Sequence, residues 1–323
     1  MRNNPDTIWQ NGNLVAWSDA TLHVMAHGLH YGSTVFEGIR CYTTDKGPAV
    51  FRLNEHIDRL VNSCKMYRIG LPFSHEDLID ACCEVVKANG LTDSYIRPIV
   101  YRDAAGLGLS PSVDDPVGVA VIAMEWGPLL GQDAQKYGCD VCVSSWKRIS
   151  SSTNPVMAKA GGHYLTSQLI SMEAKQNGYD EGLAVDDSGN LTEGAGANVF
   201  LLRKGKILTP DLGSSILEGI TRETVFEIAN QFGIECATAD IPRECLYSSD
   251  EIFMAGTAAE ITPIRSVDKI SVGNGKPGKV TQLFQKRYQE IVRGKNESTR
   301  RWLTSVTTSN LRPKTDKALA AGH

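Results

Sequence analysis

No stretch of this 323-residue chain approaches the ~20 consecutive apolar residues of a membrane-spanning helix, which excludes a protein anchored in that way. Charge of one sign does not accumulate either. The 37 acidic and 33 basic residues leave a formal net charge of −4 with no long block of one sign, so no duplex nucleic-acid partner is implied. Eight cysteines fall short of a small secreted scaffold, and Cys82-Cys83 is an adjacent pair poorly suited to a staple. Cys139-Asp-Val-Cys142 has ligand-like spacing, but it lies in a strand-like run where positions three apart face opposite ways, and no second pair completes a zinc set. Buried free thiols and no metal are expected. Met1-Arg-Asn-Asn-Pro-Asp-Thr-Ile-Trp9 lacks the apolar run of a signal peptide, so a soluble protein of the reducing cytoplasm is expected.

The length suits two domains, each burying its own core, with a cleft between them. Thr7–Gln10, the turn Asn11-Gly12 and Leu14–Trp17 read as a hairpin, and a second strand pair spans Tyr31 to Tyr42 and resumes at Val50. Asn54 precedes a helix with Ile57, Leu60, Val61 and Cys64 at helical spacing, and Ser74 caps another that ends at Asn89-Gly90. Tyr95–Tyr101 and Pro116–Met124 are strands by β-branched content. Domain one is expected over 1–128 as an α+β unit and the polar, turn-prone 129–135 as linker. Domain two is expected over 136–303. It has strands near 139–144, 181–185, 198–202, 206–208 and 251–254, and helices from Lys159 to about Asn177, from Thr221 to Phe232 and at Lys279. The Ser/Thr/Lys-rich tail 304–323 has little to bury, and disorder is expected there.

Pro155-Val-Met-Ala-Lys159-Ala-Gly-Gly-His-Tyr164 sets one lysine among residues too small to pair with its charge or crowd its amine. Such a lysine is a candidate for Schiff-base chemistry, and the cofactor that joins an aldehyde to amino-group chemistry is pyridoxal phosphate. That cofactor asks for a carboxylate at its ring nitrogen, a hydroxyl near its phenolic oxygen, and backbone donors for its phosphate. Glu193, in the glycine-rich Leu191-Thr-Glu193-Gly-Ala-Gly-Ala-Asn198, supplies a carboxylate. Tyr164, about 1.4 helical turns from Lys159, supplies a hydroxyl. Gly219-Ile220-Thr221 opens a helix, and Ala255-Gly256-Thr257-Ala258-Ala259 is a small-residue loop after a strand. Arg40, Arg59 and Arg97 are cationic candidates for phosphate or carboxylate; Tyr95 and Arg97 share one strand face. Each has an ordinary alternative taken alone: a surface lysine, a solvated turn acid, a half-buried tyrosine, two plain helix entries. Their joint presence is what selects the cofactor.

The ordered motifs His27-Gly-Leu-His-Tyr31-Gly, Phe36-Glu-Gly38-Ile-Arg40, Tyr95-Ile-Arg97-Pro, Ala158-Lys159-Ala-Gly-Gly, Thr192-Glu193-Gly-Ala-Gly and Gly256-Thr-Ala-Ala-Glu-Ile-Thr span nearly the whole chain. Through them the sequence resembles the class IV pyridoxal-phosphate aminotransferases, and within that class the bacterial branched-chain amino acid aminotransferases. The resemblance implies a two-domain fold type IV enzyme of the D-amino acid aminotransferase kind, α+β or α/β. Its smaller N-terminal domain and larger C-terminal pseudo-barrel would hold the cofactor in the cleft between them. It implies reversible, ping-pong transfer of the amino group of L-leucine, L-isoleucine or L-valine to 2-oxoglutarate. Lys159 would be the covalent lysine and proton carrier, Glu193 the partner of the pyridine nitrogen and Tyr164 that of the phenolic oxygen. Arg59, Leu217, Gly219, Ile220, Thr221, Gly256 and Thr257 would surround the rest of the cofactor. Tyr95 and the amides of Thr257 and Ala258 would receive the substrate α-carboxylate, with Arg40 as a further substrate-side cation. Arg97 would receive the second carboxylate of glutamate. Phe36, Gly38, Trp126 and Leu129 would line the side-chain pocket, together with Tyr31 and Leu109 from a partner subunit. A homodimer is therefore implied, and assembly to a hexamer stays open. Leu129 stands where Tyr is common, Ala197 where Glu is common, and His163 where Asn is usual. The first two leave D-amino acid transamination, (R)-amine transamination and 4-amino-4-deoxychorismate lyase as neighbouring alternatives, with a non-catalytic cofactor-binding protein as a remote one. The His163 change is expected to alter nothing beyond packing.

Overall fold

The computed structural model describes residues 4–127 and 129–306. The first part of the chain contributes β1 (Thr7–Gln10), β2 (Asn13–Ala16), α1 (His27–Tyr31), β3 (Thr34–Phe36), β4 (Ile39–Thr44), β5 (Gly47–Phe51), α2 (Leu53–Met66), α3 (His75–Ala88), β6 (Ser94–Arg102) and β7 (Val117–Met124). The second part begins with α4 (Gly131–Tyr137), β8 (Cys139–Val143), α5 (Tyr164–Gln176), β9 (Glu181–Val185), β10 (Leu191–Gly194), β11 (Asn198–Arg203) and β12 (Lys206–Thr209). It continues through α6 (Ile220–Gln231), β13 (Cys236–Thr238), β14 (Glu251–Gly256), β15 (Glu260–Val267), β16 (Ile270–Ser271), α7 (Lys279–Val292) and β17 (Leu303–Ser305).

The first sheet runs β17-β5-β4-β6-β7-β1-β2, with β3 also on β6. Pro98 lies inside β6, a position that a strand tolerates only where no partner needs its missing N–H. Here β4 pairs with Ser94–Ile96 and β3 with Ile99–Tyr101, so Pro98 falls at the gap between them, and its carbonyl accepts from Glu37 N at 2.9 Å. Glu37 and Gly38 lie in that gap, between β3 and β4 and outside their strand pairing. Helices α2 and α3 cover one face over a core that includes Ile57, Leu60, Leu78 and Val100. Ser74 caps α3 as the sequence implied, in a reciprocal box with Asp77. Asn54 does not cap α2; that place belongs to Arg52, in the left-handed region at φ 51°.

In the second sheet, β10-β9-β8-β15-β14-β11 form one path, and β11 pairs again with β10, closing a six-stranded barrel. Alternation along the strands sorts the side chains. Val141, Leu183, Leu191, Val199, Ile252 and Ile264 share a core drawn from all six strands, which places it inside the barrel. Phe200 and Phe253 face outward onto α6 and α7, and Tyr42 and Phe51 of the first sheet join that cluster.

Three expectations need correction. Residues 131–135 of the expected 129–135 linker belong to α4, Gly131–Tyr137, which packs on β15. After α7 the chain returns to the first sheet, with Leu303–Ser305 pairing antiparallel to β5 and Val306 buried, so residues 304–306 of the tail expected over 304–323 are ordered; residues 307–323 of it lie outside the described residues. Lys159 sits in extended chain, not at a helix start, beside the Val35–Ala160 bridge; a short 3-10 turn at Gly161–His163 intervenes before α5.

Candidate active site

A cavity enclosing about 550 Å³ of empty space, its open mouth included, lies where β10, β14 and the start of α6 meet Gly38, Arg59 and Tyr95 of the first unit. Lys159 enters it on a segment gripped by that unit. Its amide donates to Ser63 Oγ of α2 at 3.0 Å, and its carbonyl accepts from Phe36 N at 3.0 Å. Lys159 Nζ is 2.5 Å from the Tyr164 hydroxyl and 5.0 Å from the Phe36 ring centroid. The two residues meet because the chain turns between them, not because a helix spaces them.

Glu193 lies at the end of β10, buried, where a solvated turn acid was the ordinary alternative. Arg148 Nη2 is 2.6 Å from one carboxylate oxygen; Asn198 Nδ2 and Leu217 N donate to the other, each at 3.1 Å. Burial raises the Glu193 pKa, against Arg148 and the Leu217 amide. A carboxylate offers about four acceptor positions, so three donors leave one for a further N–H. Arg148, which lines the cavity, carried no signal in the sequence.

Across the cavity, Arg59 is held by an acid the motif contained but its pattern did not single out. Glu37 is fully buried, accepts from Arg59 Nε at 2.6 Å and Nη2 at 2.8 Å, and also accepts from His56 Nδ1 at 2.7 Å. Burial alone would raise the Glu37 pKa, but Arg59 and then His56 hold it far below the ordinary carboxylate range. Burial keeps His56 below its ordinary value against the pull of Glu37. Arg59 Nη1 donates to the Glu218 carbonyl at 2.7 Å. Three of its five N–H groups are thus taken and two remain. Beside it, α6 begins at Gly219 without a side-chain cap, so the first amides of the helix are free to meet an anion. A Cβ at 219 would stand 1.9 Å from Asn198 Oδ1, which fixes this position as glycine.

The turn between β14 and β15 forms another wall through Gly256, Thr257 and Ala258. Arg40 braces it from behind, donating to the carbonyls of Thr257 (2.9 Å), Ala258 (3.1 Å), Trp126 (3.2 Å) and Gly127 (2.8 Å). The expected direct contact of Arg40 with substrate is corrected: its donors face these carbonyls and it does not line the cavity. A trans peptide points C=O and N–H opposite ways, so the Thr257 carbonyl on Arg40 turns the Ala258 N–H toward the cavity.

Tyr95 reaches the same wall past Gly38, where a Cβ would stand 1.9 Å from the Tyr95 hydroxyl. Arg97 packs over the Phe36 ring at 4.6 Å and donates to the Tyr95 hydroxyl at 3.2 Å, next to the cavity. Trp126 packs on the Tyr95 ring at 5.2 Å, and Leu129 N donates to the Ala258 carbonyl at 3.1 Å, so both belong to the rim. Tyr31 and Leu109 are not brought to this cavity; they are 42% and 78% exposed. Ala197 lines the floor.

These residues fit pyridoxal 5'-phosphate: an amine, a hydroxyl beside it, a buried carboxylate with one acceptor position open, and free helix amides next to two free guanidinium N–H groups. The family Amino-transferase class IV matches residues 34–267. The branched-chain-amino-acid aminotransferase of Escherichia coli (strain K12) is 47% identical over 301 residues, covering 93% of this chain and 97% of its own length. A crystal structure of the Escherichia coli branched-chain amino acid aminotransferase superposes with a TM-score of 0.92, over 94% of this chain and 99% of that one, at 47% identity. The branched-chain amino acid aminotransferase of Thermobaculum terrenum, in its PLP-form, gives a TM-score of 0.87 at 36% identity over 94% and 99% of the two chains.

Proposed function

The chain belongs to the class IV aminotransferases, and from that premise we infer a branched-chain amino acid aminotransferase that uses pyridoxal 5'-phosphate. It transfers the amino group of L-leucine, L-isoleucine or L-valine to 2-oxoglutarate, giving the branched 2-oxo acid and L-glutamate. When bound, pyridoxal 5'-phosphate supplies an aldehyde for the amino group and a protonated ring that draws electrons from the substrate Cα.

The chain's own groups do the rest. Glu193 holds the ring nitrogen through its open acceptor position, with Arg148, Asn198 and Leu217 keeping the carboxylate in place. Tyr164 meets the phenolic oxygen. Arg59, the amides of Ile220 and Thr221, and Thr257 hold the phosphate, while Gly219 and Gly256 let the backbone come close. Lys159 Nζ, beside Tyr164 in the cavity, would take the proton from the substrate Cα and give one back in the reverse half of the exchange, when 2-oxoglutarate follows. Tyr95 and the amides of Thr257 and Ala258 receive the α-carboxylate, with Arg40 orienting the turn. Arg97 receives the second carboxylate of glutamate, and the branched chain lies against Phe36, Trp126 and Leu129. The observation that carries this reading is the meeting of Lys159 Nζ, Tyr164 and Glu193 in one cavity.

The test is product formation by donor. L-leucine with 2-oxoglutarate should give 4-methyl-2-oxopentanoate and glutamate one for one. Faster turnover of D-alanine or (R)-1-phenylethylamine would move the protein to its sister activities, and cofactor binding with no 2-oxo acid released would leave a protein without turnover.

The same reading takes the chain as two domains, split by residues 129–135, and as at least a homodimer in which Tyr31 and Leu109 complete the neighbour's pocket. The exposed apolar side chains of Leu29, Tyr31, Leu109 and Val113 support the second point. All eight cysteines are free thiols, which supports the reading of a reducing, cytoplasmic location; no helix among the described residues is long and apolar enough to cross a membrane.

A further inference from the structure

We propose that His163 is a positioning residue that ties the Lys159 segment to the end of α2, an inference that rests on the role given to Lys159 above. His163 is buried, with Nδ1 3.1 Å from the Ala158 carbonyl and Nε2 2.5 Å from the Tyr67 hydroxyl. A carbonyl only accepts, so Nδ1 carries the ring proton and Nε2 accepts from the phenol. Both ring nitrogens of a neutral imidazole are then used. Burial, followed by the nearby Arg148 charge, lowers the His163 pKa to about 4, so the neutral form persists at neutral pH.

The Ala158 carbonyl and the Lys159 N–H belong to one peptide plane. His163 and the Ala160 N–H, the latter at 2.9 Å, hold its oxygen edge, and Ser63 Oγ accepts from its N–H edge at 3.0 Å. Gripping both edges fixes the rotation of the plane, and with it the direction in which the Lys159 side chain leaves the backbone. Both grips lead to the same helix. Arg59, Ser63 and Tyr67 are four residues apart on α2 and so form one stripe, which also reaches the Glu218 carbonyl through Arg59. Tyr67, at the C-cap of α2, is itself anchored, because Arg102 Nη2 donates to the carbonyls of Tyr67 and Arg68 at 3.1 and 2.8 Å. An asparagine at 163 could still donate to Ala158, but its shorter side chain cannot also reach Tyr67. The link to Tyr67 therefore needs the histidine.

The experiment compares the parent holoenzyme with His163→Asn, Tyr67→Phe and the double variant. The readouts are kcat and KM for L-leucine and, in the cofactor-free proteins, deuterium exchange of the segment 155–164. Each single change should lower kcat about tenfold, the rate equivalent of one hydrogen bond, with KM unchanged. Exchange in 155–164 should quicken in both. The double variant should be no worse than either single one, because each breaks the same link. Additive losses, or singles whose kcat and exchange match the parent while only thermal stability falls, would overturn the tie. A parent whose cofactor absorbance does not respond to L-leucine would remove the Lys159 reading, and the tie with it; a responsive parent with indifferent variants removes the tie alone.

Discussion

Arg97 sits flat over Phe36 and uses one Nη2 N–H on the Tyr95 hydroxyl, so its other Nη N–H groups remain for a ligand oxygen beside the cavity. Replacing it with alanine should cost glutamate about tenfold or more in kcat/KM, the scale of one charge-assisted hydrogen bond, and leave L-leucine nearly untouched. Equal losses for the two donors would end the assignment. Glu193→Gln keeps the shape but not the charge. Its turnover should drop about a hundredfold, the scale of losing one preorganised electrostatic contact, and steady-state assay of the purified variant checks this. His163 adds a pH dependence to stability. Its pKa is about 4 in the folded chain against an ordinary 6.5, so between these values the unfolded chain binds more protons. Stability is whole above about 6.5 and declines as the pH falls toward about 4, and His163→Asn should flatten that decline in urea midpoints measured at pH 7 and pH 5. Lys159, Tyr164 and Glu193 were legible as residues because their chemistry is unusual for their surroundings. Arg148, Ser63 and Tyr67 were not, since each is an unremarkable residue until the fold brings a distant segment onto it.

At the scale of elements, α2 joins the two units at the site, and its register matters more than its amphipathic pattern suggests. The sequence pattern located the buried stripe of Ile57, Leu60 and Cys64 correctly. It could not reveal that Arg59 and Ser63 face the other unit, because a polar residue bound across an interface looks the same in sequence as one in water. Likewise, helical spacing suggested a geometry for Lys159 and Tyr164 that the fold replaces with a turn, since two glycines open a 3-10 segment where an uninterrupted helix was assumed. The Ser74 cap was legible because its box is local; Ser74→Ala should cost about 1 kcal/mol of stability by chemical denaturation, with activity unchanged.

For the whole molecule, β8, β9, β11 and β14 of the barrel were legible as strands, whereas β10, β15 and β17 were not, and the barrel's pairings were not legible either. The β8–β15 pairing of the barrel and the return of β17 to β5 join residues far apart in the chain, and no local pattern encodes them. In the proposed homodimer the exposed apolar residues around α1 and near Leu109 would meet the second copy, so Leu109→Asp should weaken self-association in sedimentation and lower activity with it. Since the cavity takes contacts from both units, cofactor should stabilise the whole fold, by about 2.7 kcal/mol at a hundredfold excess over its Kd. The most direct test is to reduce the holoenzyme with borohydride, digest it and locate the modified lysine by mass spectrometry. A phosphopyridoxyl group should appear on Lys159, and none on the protein when Lys159 is replaced by alanine; modification of a different lysine, or of none, would contradict the role given to Lys159.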